Sequence, residues 1–350
     1  MSAARGVVFL TGGVVLWLAL RGAIAAEWML LPVGTFAALV VLHERVIRAK
    51  RLAERAVAHY ERALARLDDR WVGAGASGAR YLEGDDGVGE DLDLFGKGSL
   101  FELLSTARTG IGESTLADWL RRPAEAEEIR ARQVAVDELR SRLDLREALA
   151  LLGRDVAEGV EPAFLVEWAE ARQQDFPAGA TIAGVVLSAL TTAGLVHWQG
   201  FGGEPTFFLA AAAAQAAFAS ALRRKADAVL HGFDRATRNL GLLAEILALL
   251  EREAVSAPRL VALVRSLETE GLPPSRRIAK LAIRADLLDS RKNQFFAPFA
   301  ALLLWRTQLA ISIARWRARH GEAVRRWVAA VGELEALLSF ASHAFEHPAD

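Results

Sequence analysis

The chain has no cysteine, and only two methionines and two tyrosines, among its 350 residues. Without thiols there is no disulfide and no thiolate metal site, and the redox compartment leaves no mark on the composition. Net charge is missing too. Forty-two basic residues stand against 43 acidic ones, giving −1 and a pI of about 6.7. Such a balanced chain exerts no bulk electrostatic pull on nucleic acid. The apolar/polar alternation of strands is absent, and alanine, leucine and arginine dominate, so the chain is expected to be all-α. No G-x-x-x-x-G-K-[ST] string occurs in these residues, so no nucleotide-binding phosphate loop can be read in them. No Ser/His/Asp set or carboxylate pair stands out among the charged helices. No catalytic residue, cofactor-binding residue or metal ligand is therefore assigned.

What is abundant is apolar sequence. Apolar residues make up 53% of the chain, against about 45–50% in soluble proteins, and the mean hydropathy is +0.21. Residues 6–42 carry only two charges, Arg21 and Glu27, in 37 positions. About 20 apolar residues span a bilayer as a helix, so this stretch fits a hairpin of two spanning helices with Arg21 and Glu27 near its turn. A cleaved signal peptide, ending near Ala23–Ala26, fits less well because a second apolar run follows at once. Basic residues from Arg45 to Arg51 then place both hairpin ends in the cytoplasm. A second lipid candidate is Ala178–Val196, with Trp198 and Phe201 at its end, followed by Thr206–Leu222 and the basic triplet Arg223-Arg224-Lys225. For the second run the competing reading is a buried soluble helix, since it is short, alanine-rich and contains Gln215.

Between and after these runs the pattern is helical. Residues 44–70 read as an amphipathic helix, and 71–93 as a polar, Gly-rich connection. Ala124–Gly153 reads as one long charged helix with Ile129, Val134, Val136, Leu139, Leu143, Leu145 and Leu149 inside. Gly271-Leu-Pro-Pro274 breaks the later helices. Phe295–Ile313, interrupted by Arg306-Thr307-Gln308, reads as a buried helix, with a fifth membrane span as its rival. A continuous helix from about Ala300 to Phe340 would put Trp305, Trp316 and Trp327, spaced by 11, on one face, with a possible bend at Gly321.

Four local motifs compete with plainer readings. Gly73-Ala-Gly75-Ala-Ser-Gly78 satisfies G-x-G-x-x-G, but no strand precedes it, so a flexible joint is expected. Phe95-Gly-Lys97-Gly-Ser99 matches only part of a phosphate loop. His343-Ala-Phe-Glu346-His347 has the H-x-x-E-H spacing of a zinc protease, without a third ligand and with Pro348 next. The run Arg315–Arg326, with Trp316 and Trp327, could touch phosphates or anionic lipid, yet a solvated cationic face is the commoner origin of such a run.

A longer constellation is more specific. It comprises Asp91-Leu-Asp-Leu-Phe95, Gly98-Ser-Leu100, Thr106-Ala-Arg-Thr109 and Gly112-Glu-Ser-Thr-Leu-Ala-Asp-Trp-Leu120. Pro123, Glu128-Ile129, Arg132-Gln133 and Ala135-Val136-Asp137-Glu-Leu139 follow. In order and spacing it resembles the core-and-lever region of MutS-type mismatch-repair ATPases. The resemblance covers 91–155 well and 225–347 loosely, with Glu333–Ala344 similar to the end of the second lever. It implies a long-helix bundle that passes ATP-dependent motion, homodimerisation, and ATP with Mg only in a nucleotide domain outside these residues. The departures are informative. A membrane hairpin and linker stand where mismatch-reading and connector domains normally do. The mismatch-reading Phe-x-Glu motif is absent. An apolar hairpin stands where a DNA clamp would be inserted.

The expected architecture is thus a membrane-anchored all-α long-helix bundle with two transmembrane hairpins. Its segments are a hairpin over 1–46, an amphipathic helix and Gly-rich linker over 47–90, and a MutS-like core/lever over 91–175. A second hairpin over 176–222 and further lever helices over 223–350 follow. The expected role is a non-catalytic lever and scaffold, with the last turn near Phe340–Phe345 coupling to an ATPase domain missing from these residues. The expected location is a bacterial-type inner or plasma membrane with most of the chain cytoplasmic, and the expected partners are the bilayer, that ATPase domain and a second copy. Two rivals remain: a four-span interaction protein without a nucleotide partner, and a DNA-binding repair module, which would bind DNA in a salt-sensitive way.

Overall fold

The computed structural model describes residues 2–23, 25–82, 88–152, 162–171, 174–268, 271–289 and 297–349. Among these every regular element is helical. The chain divides into two compact units, Met1–Leu64 and Ala65–Asp350.

In the first unit, α1 (Ser2–Leu20) and α2 (Leu30–Leu67) flank a turn that holds Arg21 and Gly22. Gly22 takes φ +72, and the Arg21 guanidinium lies 4.1 Å over the Trp17 ring. The Thr11 and Thr35 hydroxyls donate back to the Val7 and Leu31 carbonyls at 2.9 and 2.8 Å. These hydroxyls are thereby satisfied within their own helices. No side chain of α2 is buried. Phe9, Leu10, Leu30 and Leu31 all face outward. α2 continues without a break from the apolar run into the amphipathic one, a length of about 57 Å for its 38 residues.

The second unit is built around one mast. Its helices are α3 (Val88–Asp91), α4 (Leu100–Leu104), α5 (Gly110–Arg121), α6 (Ala126–Arg140) and α7 (Leu143–Leu151). There follow α8 (Pro162–Glu170), α9 (Ala180–Phe201), α10 (Thr206–Leu230), α11 (Phe233–Leu250), α12 (Pro258–Ser266), α13 (Pro274–Asp289), α14 (Ala297–Leu302) and α15 (Trp305–Glu346). The 42 residues of α15 rise about 63 Å. α5, α6, α8, α10, α11 and α13 all pack on it. Leu334, Leu337, Val331 and Trp327 sit at its buried centre with Leu240, Leu243 and Ile246 of α11.

Close helix approach depends on small residues. A Cβ at Gly321 would lie 2.5 Å from the Ala169 carbonyl oxygen, and one at Gly332 would collide with Thr115. Gly321 therefore admits the end of α8, and α15 runs through it without interruption.

Several expectations are corrected. Residues 124–152 form two helices, α6 and α7, which meet at Ser141-Arg142. Ile129 and Val134 of α6 and Leu143 of α7 are exposed, because they lie off the faces that bury Ala135 and Leu139, and Leu145 and Leu149. α15 starts at Trp305, after Leu304 in a left-handed conformation (φ +50) separates it from α14. Phe295 lies outside the described residues.

The α9–α10 hairpin has a different construction. Its buried positions on α9 are Ala180, Gly184, Ser188, Thr191 and Gly194, all small or polar. Ile182, Val185, Val186, Leu190 and Val196 point away from protein. A Cβ at Gly194 would lie 2.9 Å from the Phe208 Cα, so the two helices touch backbone to backbone there. Thr191 and Thr192 return their hydroxyls to the carbonyls four residues earlier.

Candidate functional site

Two segments far apart in sequence are locked together by one carboxylate. Thr109 takes an extended conformation and caps α5, its hydroxyl accepting from Gly112 N–H at 3.2 Å. This leaves the N–H groups of Arg108 and Thr109 facing the lower half of α15. Glu335 meets them there. Its Oε1 accepts from Arg108 N–H at 2.8 Å and Thr109 N–H at 3.2 Å, and its Oε2 accepts from the Thr109 hydroxyl. Gly112 is required beside it, since any Cβ would collide with the Glu335 side chain.

The Glu335 side chain has no solvent exposure. Burial pushes its carboxyl up to about 7, while the Thr109 hydroxyl and the neighbouring backbone N–H groups pull it down. The positive end of α5 adds to the attraction for the charged form. The Glu335 carboxyl is therefore close to changing charge near neutral pH.

Neighbouring contacts extend the joint along α15. Ser339, one turn on, faces Thr106, with its Oγ 3.2 Å from Thr106 N and 3.3 Å from Thr106 Oγ1. Phe340 stacks on Trp119 at 6.3 Å between ring centroids, and Arg132 covers the Trp119 ring at 3.7 Å. Glu346 accepts both Nε and Nη2 of Arg66, at 2.6 and 2.5 Å, with little of either side chain exposed. Glu113 in the first turn of α5 holds Arg80 at 2.5 Å; burial pushes its carboxyl up, with Arg80 opposing.

The glycine motif and the partial phosphate loop converge on a second carboxylate. Glu102 Oε1 accepts from Gly73 N–H at 2.7 Å and Gly75 N–H at 3.2 Å, and Oε2 accepts from Gly98 N–H at 2.7 Å. The backbone donors that could cradle a phosphate are thus filled by the chain's own side chain. Gly73 and Gly78 have φ of +82 and +66, and Gly78 lies hard against Phe101, which joins Tyr81 and Phe95 in an aromatic cluster. Residues 73–78 are a pinned turn and not the free joint expected from composition.

The remaining motifs divide. Trp316 and Trp327 are buried neighbours 6.4 Å apart, and Trp168 of α8 joins them. Trp305 is half-buried at the start of α15 and lines a crevice with α10 instead. In the basic run, Arg317 is buried, donates to the Ala171 carbonyl at 2.7 Å and lies over Trp168. Arg325 pairs with Glu170, while Arg315, Arg319 and Arg326 are exposed. The His343 and His347 rings sit 4.7 Å apart, but Glu346 between them is committed to Arg66. Among the described residues no three His, Asp or Glu side chains are grouped to hold a metal.

Residues 85–341 match the family model of MutS domain III. The chain belongs to the MutS domain III family. No curated protein and no solved structure matches it. In this domain III chain the matched stretch includes α5, the Glu335 joint and the α9–α10 hairpin. The residues that carry the family likeness, Thr106–Thr109 and Gly112, are the ones that grip Glu335 and Ser339. Sequence reasoning missed Glu335, Ser339 and Glu102. A usable signal was Gly112, whose missing side chain marks a close approach.

Proposed function

We propose that this chain is a membrane-anchored lever and scaffold of a MutS-like ATPase. The observation that carries the reading is the α9–α10 hairpin, turned inside out within a family-matched lever. On α9 small and polar residues face inward and branched apolar residues outward, and on α10 Ala211 and Gln215 are the residues buried before Leu222. That is how helices pack in lipid, where burying leucine gains nothing and close backbone approach does. α9, α10 and α2 are each long and apolar enough to cross a membrane; α15 also qualifies by length and composition, but it is mostly buried in protein. In this reading α9 and α10 form one spanning pair and the 6–42 run forms another, with Arg223-Arg224-Lys225 at the cytoplasmic surface. The Glu335 contacts tie the C-terminal half of α15 to the start of α5 as one stiff body. That body would couple to a nucleotide-binding domain outside these residues, which would supply ATP and Mg chemistry. The proposed location is a bacterial-type inner membrane.

The absence of cysteine provides a clean test. Glu204→Cys, in the α9–α10 turn, is expected to react with a membrane-impermeant maleimide on intact cells. Val134→Cys is expected to react only after lysis. Release of the full chain by high salt without detergent overturns the anchoring. For the coupling, the chain purified in detergent is expected to bring down an ATP-hydrolysing polypeptide or domain that carries G-x-x-x-x-G-K-[ST]. Recovery of a chain with no such companion, encoded with no such domain, favours an interaction protein without a motor.

A further inference from the structure

α14 lies beside the α9–α10 hairpin, and the two line a crevice of about 970 Å³, with Leu195, Phe208 and Ala212 from the hairpin and Phe299 and Leu302 from α14. α14 has only six residues. The chain breaks after it, where Leu304 takes a left-handed φ of +50 before α15 begins. Despite its shortness α14 displays apolar bulk: Phe299 is 60% exposed, and Leu303, just past its end, is 44% exposed.

A helix end leaves its last carbonyls without intrahelical donors. Water would serve them at an ordinary surface, but here a side chain does. Gln215 is buried midway along the uncharged run of α10. Its Nε2 donates to the Ala301 and Leu302 carbonyls at 2.9 and 3.1 Å, and Ala301 also accepts from Leu304 N–H at 3.2 Å. A broken helix is tolerated at membrane depth when a neighbour satisfies the freed backbone groups in this way. The position along α10 gives the depth. Gln215 lies eight residues before Arg223, about 12 Å of helix. Arg306, at the start of α15, pairs with Asp227, one turn beyond Arg223. The break is therefore served from within the apolar run, and α15 starts at the basic end.

The chain enters and leaves this region from the same body. α13, before it, buries Ile278 and Leu281 in the core in which α15, after it, buries Ile313 and Trp316. A complete span between the two helices would set them on opposite sides of a membrane. We propose that residues 297–304 are a re-entrant segment, which dips into the cytoplasmic leaflet and returns. Phe299 and Leu303 meet acyl chains, and Gln215 holds the broken end by serving its carbonyls. The occupant is lipid because the segment lies along the hairpin whose outward residues suit lipid, beside Arg223-Arg224-Lys225, whose charge suits anionic headgroups. The inference rests on the membrane reading above.

The test introduces single cysteines into the full chain, which has none of its own, and reads it in membranes from lysed cells. Phe299→Cys and Leu303→Cys are expected to react with a charged, impermeant maleimide at least about tenfold more slowly than Val134→Cys, because the reagent enters hydrocarbon poorly. A permeant fluorophore on Phe299→Cys is expected to be quenched by lipids that carry a spin label on the acyl chain. Reaction as fast as that of Val134→Cys overturns the proposal, and so does protection without quenching, which would mean a cover of protein. Lys280→Cys and Arg319→Cys, at exposed positions on the two flanking helices, are expected to react only after lysis. Reaction of either on intact cells would show a complete span and overturn the dip. Gln215→Leu is expected to speed the labelling of Phe299→Cys about tenfold, the effect of stranding a carbonyl, and to leave labelling of Glu204→Cys unchanged. Undiminished protection in that variant overturns the role given to Gln215. Fast reaction of Phe299→Cys, with Glu204→Cys still reached from outside, removes the dip and leaves the anchor, whereas release of the chain by salt removes both.

Discussion

The α9–α10 hairpin and the lower half of α15 are both helices packed on helices, yet they follow opposite rules. Around Trp327, Leu334 and Leu337 the interior is large and apolar; Arg326 stays outside, and Glu335 is buried only against its own donors. That is the arrangement of a body solvated by water, where burying apolar area is the main driving force. In the hairpin the interior is Gly184, Ser188, Thr191 and Gln215, and the exterior is Ile182, Val185 and Leu190. Water would penalise that exterior and lipid would not. Under the membrane reading proposed above each half suits its own solvent, and α15 packs against both.

The sharpest way to break the comparison is at the water-solvated core. Trp327→Ala removes a side chain with no exposure and is expected to cost about 4 kcal/mol of unfolding free energy in mild detergent. A loss below about 1 kcal/mol would mean that the α15 centre is not a packed core.

At the joint, Glu335→Ala leaves the Arg108 and Thr109 donors buried without an acceptor, and about 3 kcal/mol should be lost. Glu335→Gln keeps one carbonyl oxygen in place and should cost about 1 kcal/mol. Equal effects of the two would assign the joint to packing alone.

The pH response of the same residue follows from its raised value. The folded state holds the Glu335 proton more tightly than the unfolded chain, so stability is fully present below about pH 4.5 and falls as pH rises towards and through about 7. The difference approaches about 3 kcal/mol by pH 8. Glu335→Gln should flatten that slope in urea titrations between pH 5 and 8. A wild-type profile that rises over that interval and matches the variant would refute the assignment.

The hairpin exterior gives the sign reversal. Val185→Arg is expected to disfavour insertion by about 3 kcal/mol and shift the chain out of the membrane fraction. Val134→Arg, at a similarly exposed valine on α6 (53% against 57%), should change stability by less than about 0.5 kcal/mol. Matching outcomes at the two positions would remove the distinction between the two solvents.

Much of this layout is legible in the residues. The uncharged runs announce the hairpins, Pro123 and Pro274 set helix limits, and the spaced Thr106, Thr109, Gly112 and Trp119 carry the family. The joints are not legible. Glu335 looks like one more charge in a helix, because its partners lie 226 and 227 positions away. Residues 73–78 look loose until Glu102 is placed among their N–H groups. The even spacing of the three tryptophans suggests one face, yet Trp305 sits at the start of α15, beside the break at Leu304, and lines the crevice instead.

The sequence by itself determined helix, because its apolar periods and propensities are local, and it determined which stretches suit lipid, because that is a matter of uninterrupted length. Only the tertiary structure decided which carboxylates are buried and what they hold. A buried charge is defined by the donors and the solvent excluded around it, and those come from segments that the chain order keeps far apart.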